Sequence, residues 1–426
     1  MNQIFRQTPP PVAEMTAFDM PALRRRRLDS GIEMIIYDGC DSAVNYLTLI
    51  SPGGMCELPS AAVGALNAIM RREGTASFSG EEIDSALDFN GSWLRCNNMS
   101  HDFRISMYSL NSRLCHTLPY FKEMAFMPAF GSEALSVRRE ALARETEVSL
   151  SDVDYLAKSE CDRMIMGRAH PLARTDSPDA IRAVSSADLS ESFKAISSPG
   201  NSILFLCGMI TPEIEELVAR EFSRLPEGRT RPQRIVTPFE AVEAGTLRVI
   251  DRPDSQQSAV VMAMPAIPRN HPDYIDLHIA VSALGGYFGS RLMLNIRERL
   301  GLTYGISAAL CGMADGAYVM IQADTDRRHV ENLRNEVALE LDRLASEPPQ
   351  GEELTRLRQS LLSSQAAVLD SPFSIIDNAI TELTAAIPAG YFNAKLKAIS
   401  ALTPEKIAAV SAKYLRPANL RTVVAG

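Results

Sequence analysis

Histidines are the first candidates for metal or acid–base chemistry, and the chain has six: His101, His116, His170, His271, His278 and His329. A helix offers two imidazoles to one ion only when they stand three or four residues apart, and no pair here does. The seven cysteines (Cys40, Cys56, Cys96, Cys115, Cys161, Cys207, Cys311) are odd in number, widely spaced and never in a C-x-x-C pair. Neither a disulfide framework nor a thiolate zinc site is expected from them. The glycines Gly285, Gly286 and Gly289 suggest a phosphate loop, yet G-G-x-x-G does not match the dinucleotide fingerprint and no phosphate-binding lysine follows. Read alone, they make a tight approach before a helix whose arginines are solvated.

The elements that would carry such residues come in two copies. Residues 185–208 (SSADLSESFKAISSPGNSILFLCG) and 403–426 (TPEKIAAVSAKYLRPANLRTVVAG) align without a gap at an offset of 218. Each reads as a capping residue (Ser185 or Thr403), an amphipathic helix, a Pro-x-Asn turn (Pro199 and Asn201; Pro417 and Asn419) and an apolar strand ending in glycine. Two halves of about 210 residues therefore account for the chain. Both open on strands, Ile32–Tyr37 and Val44–Ile50 in the first, Thr246–Ile250 and Ala259–Met264 in the second, ahead of long helical stretches. The expected fold is α+β: two homologous domains in tandem, each an antiparallel-rich sheet against helices, over 29–235 and 236–426 after a lead-in at 1–28. The break is placed in the proline-rich, weakly periodic stretch 224–246.

Composition bounds the function. With 46% hydrophobic and 22% charged residues the chain can bury a substantial core, and its net charge of -9 excludes a general electrostatic grip on nucleic acid. Arg24 to Arg27 form one short basic run in an acidic chain and read as a solvated lead-in to the first strand. Met1 to Leu28 lacks the apolar core of a secretory signal, and no stretch approaches roughly 18 uncharged apolar residues. A soluble, cytoplasmic protein is expected.

Leu58–Arg72 (LPSAAVGALNAIMRR) reads as a helix stopped at Gly74, with Thr75 following. This helix and Gly-Thr pair, the two-fold repeat, the His170–Pro171–Leu172 turn and the glycine-rich helix start of the second half resemble the pitrilysin/insulinase family of zinc metallopeptidases over nearly the whole chain. Family members carry H-x-x-E-H on that helix, where positions i, i+3 and i+4 share a face. Two imidazoles bind zinc and the glutamate takes a proton from metal-bound water. With the register set by the Gly-Thr pair, those positions fall on Ala65, Ala68 and Ile69, none of which ligates a metal or accepts a proton. Their apolar character predicts a face buried in a core. The family's remaining ligand position falls on Glu145, at the end of the stretch RREALARE, and its accompanying glutamate on Arg138 at the start of that stretch. A lone carboxylate does not hold catalytic zinc, so Glu145 reads as an ordinary helix glutamate and no metal is expected in this chain.

The second half keeps what the first has lost. Ser290–Arg291–Leu292, Arg297 and Tyr304 match a family segment whose arginine and tyrosine reach across to the zinc site. The resemblance implies that they hold the substrate backbone and stabilise the developing oxyanion. It also implies that chains of this length pair into a clamshell around a peptide. The expected partner is a homologous H-x-x-E-H-bearing subunit that holds the zinc, with Arg297 and Tyr304 supplied in trans. Activity of this chain alone is not expected. The alternative is an inactive scaffold or peptide-binding protein of the same fold. The family's peptide-pairing edge strand points to Ser92–Asn98, making Ser92, Trp93 and Leu94 the substrate-binding candidates, with Leu94 where the family usually has asparagine. Trp93, the only tryptophan, reads as a core residue, with chamber lining as the alternative. Gln256–Ser258 is expected to open a comparable strand in the second half.

Overall fold

A computed structural model describes residues 20–426 apart from 198, 226–233, 314–315, 386 and 389. Most of the lead-in at 1–28, and part of the break at 224–246, lie outside the described residues. The first half runs β1 (Arg24–Arg27), β2 (Glu33–Tyr37), β3 (Val44–Pro52), α1 (Ala61–Met70), α2 (Gly80–Phe89), β4 (Trp93–Asn98), β5 (Asp102–Leu110), α3 (Leu114–Phe126), α4 (Ser132–Ser149), α5 (Val153–Met166), α6 (Pro178–Ala183), α7 (Ser186–Ile196), β6 (Ile203–Cys207) and α8 (Pro212–Ser223). The second runs β7 (Leu247–Ile250), β8 (Ser258–Ala266), α9 (Tyr274–Val281), β9 (Ile306–Gly312), β10 (Ala317–Thr325), α10 (Val330–Ser346), α11 (Gly351–Ala366), α12 (Pro372–Thr384), α13 (Tyr391–Ser400), α14 (Pro404–Tyr414) and β11 (Arg421–Ala425). Two π-helical turns, Ser282–Gly286 and Met293–Arg299, lie between α9 and β9.

The strands form two sheets of one topology. The first has the order β1-β2-β6-β3-β5-β4 and the second β7-β11-β8-β10-β9. β6 runs parallel to β2 and antiparallel to β3, as β11 runs parallel to β7 and antiparallel to β8, and β1 is an additional edge strand of the first sheet. The repeat extends to element boundaries: α7 and α14, and β6 and β11, begin and end at the same constant offset as the sequence repeat, behind the side-chain caps Ser185 and Thr403. Arg24–Arg27 departs from its expected role. It is an edge strand paired antiparallel with β2, and its arginines meet Asp38, Glu33, Glu215 and Glu216 rather than water alone.

The inner strands are covered on both faces, so β3 and β8 are buried along nearly their whole length, the polar Asn45, Thr48 and Ser51 of β3 included. One face of the first sheet packs Leu47, Leu49, Ile105 and Met107 against α2, α3 and α8, and one face of the second packs Val260, Met262, Val319 and Ile321 against α10 and α14. The other faces are covered reciprocally. Helix α5 of the first half lies on β8 and β11, burying Ala157, Cys161 and Ile165 against Ala259, Val261, Ala263 and Val423. Helix α12 of the second half lies on β6, burying Ile376 and Ile380 against Ile35, Tyr46, Phe205 and Cys207. Each crossing is tied by a phenol: Tyr46 donates to Asp377 at 3.0 Å and Tyr318 to Asp162 at 2.9 Å. Among the described residues no helix is long and apolar enough to cross a membrane.

Candidate functional site

Helix α1 begins at Ser60, whose hydroxyl accepts from the Val63 amide, and packs on β4, α4, α6 and α7. Its Ala65, Ala68 and Ile69 do not form the buried face expected of them. Ala68 is buried, Ala65 is partly exposed and Ile69 is 36% exposed. The reason lies on the opposite side of the helix. Asn67 and Arg71, one turn apart, take the buried face, and Ile69 falls between them in sequence and therefore points away. Three hydrocarbon side chains offer a zinc ion no donor, and Glu145 stands exposed on α4, so these positions do not fit a metal. Arg138 is paired with Glu73 at 2.6 Å. Among the described residues no group of three or more His, Cys, Asp or Glu is placed to hold a metal ion.

Strand β4 lies beside α1 at the free edge of the first sheet, so one side of its backbone is left unpaired by the ladder. Ser92 precedes it and donates to Ser109 Oγ at 2.9 Å, while Leu94 turns into the core. Trp93 is not a core residue: it is half exposed, with its ring 5.7 Å from that of Tyr108 and the Arg95 guanidinium 4.2 Å over it. The comparable edge of the second sheet is β9. Gln256–Ser258 leads instead into β8, which is held between β11 and β10 and cannot accept another strand.

In the second half the glycine-rich stretch is a close-packing device. A Cβ on Gly285 would stand 2.5 Å from the Ala308 amide nitrogen, so only glycine lets the first π-helical turn meet β9. Arg291 is not solvated but forks onto Glu353 at 2.7 and 3.1 Å, anchoring the following turn to α11. Asn295 donates to Glu340 at 2.7 Å and to Glu336 at 3.0 Å, fixing the same turn to α10. On this braced segment the Arg297 guanidinium carbon lies 5.3 Å from the Tyr304 ring centroid and 4.8 Å from that of Phe288. Tyr304 is 90% exposed, and the Thr303 hydroxyl, accepting from the Gly305 amide at 3.1 Å, fixes its loop. Gly305 and Met293 open onto a cleft of about 550 Å³ lined by Asp154, Lys158, Ser307, Gln322 and Asp324. Burial first, then the neighbouring Asp154, pushes the Asp324 carboxyl up to about 6.

A partly covered arginine beside an outward-facing tyrosine thus sits on a chain whose helix α1 offers no metal donor at Ala65, Ala68 or Ile69. A family model described as the peptidase M16 inactive domain matches residues 183–361, the stretch that includes this pair. The structure of a peptidase M16 inactive domain from Pseudomonas fluorescens superimposes with a TM-score of 0.83, 22% identity and coverage of 95% of this chain and 98% of that one. Residues 183–361 of the chain thus resemble a peptidase M16 inactive domain, and the whole chain shares that protein's fold. Another match is the non-peptidase homolog YmxG of Helicobacter pylori, 24% identical over 268 residues, which are 61% of this chain and 60% of that protein, less than two thirds of its length. The periplasmic protease PqqL of Escherichia coli has the same fold, with a TM-score of 0.79 over 97% of this chain but 46% of its own, longer chain.

Helix α1 carries no H-x-x-E-H sequence. The sequence pairs Arg297 with Tyr304, and the structure sets them side by side. Sequence reasoning misses Phe288, which closes the other side of the guanidinium, and the Asp154–Asp324 pair, which joins α5 of one half to β10 of the other. An aromatic shortly before Arg297, within the glycine-rich stretch, is the available signal for the first. Nothing in the sequence signals the second, because it depends on α5 crossing between halves.

Proposed function

We propose that this chain is the zinc-less subunit of a two-chain M16 peptidase, in which a homologous H-x-x-E-H-bearing partner supplies the metal site and Arg297 and Tyr304 serve it from across the interface. The observation that carries this reading is the Arg297–Tyr304 pair itself. It is braced from behind by Glu353, Glu336 and Glu340, and it faces outward with the phenol making no hydrogen bond to a described residue. An arginine holds a peptide carbonyl through its fixed fork of donors, and a phenol donates to an oxygen on which charge is growing. Both act without a metal in their own chain. The match to less than half of a longer protease supports the idea that a chain of this size is one half of a working enclosure. Seven unpaired cysteines favour a reducing compartment such as the cytoplasm.

The test is reconstitution. Mixed with a relative that carries H-x-x-E-H, the chain should yield peptide hydrolysis that neither protein shows alone. In the verified heterodimer Arg297→Ala or Tyr304→Phe should lower turnover about 10²–10³-fold, the usual loss when one oxyanion donor is removed. Full turnover in both variants would sink the composite site. A second reading, a scaffold or peptide-binding protein of the same fold, is favoured by the name of the Helicobacter pylori relative, a non-peptidase homolog. It expects a stable complex whose activity is indifferent to residues 297 and 304.

A further inference from the structure

Two packed helices of the second half share a pattern, a phenol followed four residues later by a base: Tyr274 and His278 on α9, Tyr391 and Lys395 on α13. Four residues make about one turn, so each pair shares a helix face. The two helices pack on one another, close enough for Lys395 to influence the ionisation of His278, and Tyr274 that of Tyr391. Arg269, from the segment before α9, completes the group. Its Nε donates to the Gly312 carbonyl at 3.0 Å, and a Cβ on Gly312 would collide with both the Arg269 side chain and the Tyr274 hydroxyl.

No acid answers these bases. Lys395 makes no hydrogen bond or ion pair with a described residue, and the Nδ1 of His278 is buried without a partner. The nearby carboxylates are engaged elsewhere: Asp273 accepts from Lys413 at 2.8 Å and Tyr414 at 2.7 Å, and Glu382 accepts from the Phe392 amide at 3.3 Å. Asp276, two residues from His278, lies off the shared face. Burial first, then the charges of Lys395 and Arg269, pushes His278 down to about 3. Burial and Arg269 bring Lys395 to about 8. Among the described residues, no acid is paired with Arg269, His278 or Lys395. Unpaired like charges in a partly buried site are destabilising unless a counter-charge arrives.

We propose that Arg269, His278 and Lys395, with the hydroxyls of Tyr274 and Tyr391, form a binding site for a small oxyanion, a phosphate or a carboxylate. The lysine supplies a compact charge, the guanidinium a fixed fork of donors, and the phenols neutral donors. His278, Tyr391 and Lys395 are each partly exposed, so the ligand enters without unfolding either helix. The site shares no residue with the Arg297–Tyr304 pair, and its test needs no partner chain.

Calorimetric titration of the full chain at pH 7 with sodium phosphate, and in parallel with sodium acetate, at an ionic strength fixed by chloride, tests it. At least one anion should bind saturably, and the comparison of the two separates a tetrahedral from a planar ligand. Lys395→Met should weaken binding at least tenfold, whereas Lys397→Met, on the exposed side of α13, should leave it unchanged. In the unaltered protein, NMR of the His278 ring should show its pKa rising when the anion binds. The proposal is overturned if neither anion binds above chloride, if the two lysine variants behave alike, or if the His278 resonance is indifferent to saturating anion.

Discussion

Arg71 shows how a single side chain orients the motif helix. Its guanidinium is enclosed between the rings of Phe103 at 4.1 Å and Phe193 at 4.5 Å, and it donates to Asn67 Oδ1 at 3.0 Å and to the Ala125 carbonyl at 2.6 Å. Burial lowers its pKa to about 10, which still leaves it charged at neutral pH. Arg71→Met should therefore cost about 3 kcal/mol in urea-induced unfolding, because the carbonyls and the Asn67 amide oxygen lose their donor. Ile69→Ser, two residues earlier on the outward face, should change stability by less than about 1 kcal/mol. If the order of the two effects were reversed, the account of why Ile69 is exposed would be wrong. The loss of zinc ligands is legible in the sequence because it is a matter of residue type at a fixed register. The direction in which those residues point is not, since the contacts of Arg71 with Phe103 and Phe193 join residues far apart in the chain. Trp93 shows the same limit: its exposure follows from β4 lying at a sheet edge, a property of strand order.

Among the elements, the repeat is legible down to helix and strand ends, because caps, turns and apolar runs are local signals. Edge and interior strands are not distinguishable by such signals, which is why the sequence points to β8 for an edge position that β9 holds. The approach of the first π-helical turn to β9 rests on Gly285. Gly285→Ala should destabilise the second half by about 1–3 kcal/mol, read from thermal unfolding, since its Cβ would press on backbone. The Asp154–Asp324 contact couples α5 to β10 in a pH-dependent way. Asp324 has a raised folded-state pKa, so its contribution to stability is fully present below about 3.8 and is lost as pH rises through about 6. Asp324→Asn should raise the melting temperature at pH 7.5 and have little effect at pH 4. The gain corresponds to about 1 kcal/mol or less, because both carboxyls, although partly covered, remain more than a third exposed and are screened by solvent. An equal shift at both pH values would remove the carboxyl pair as its cause.

For the whole molecule, the reciprocal placement of α5 and α12 makes each half part of the other's core. Ile376→Ala should cost about 2–4 kcal/mol. Its effect should appear as faster amide hydrogen exchange in β2, β3 and β6, strands that belong to the other half of the chain. Acceleration confined to residues after 247 would show that α12 does not support the first sheet. The same placement governs synthesis. When β6 leaves the ribosome, the sheet face carrying Ile35, Tyr46 and Phe205 has no cover, and its cover starts only at Pro372, far beyond the end of β6 at Cys207. At 5–20 residues per second that face waits roughly 10–30 s, long enough for a nascent apolar surface to engage a chaperone or another nascent chain. A polypeptide ending at residue 235 would never be covered. It should bind hydrophobic dyes and associate with itself, so the two copies of the ancestral unit are no longer separable folding units.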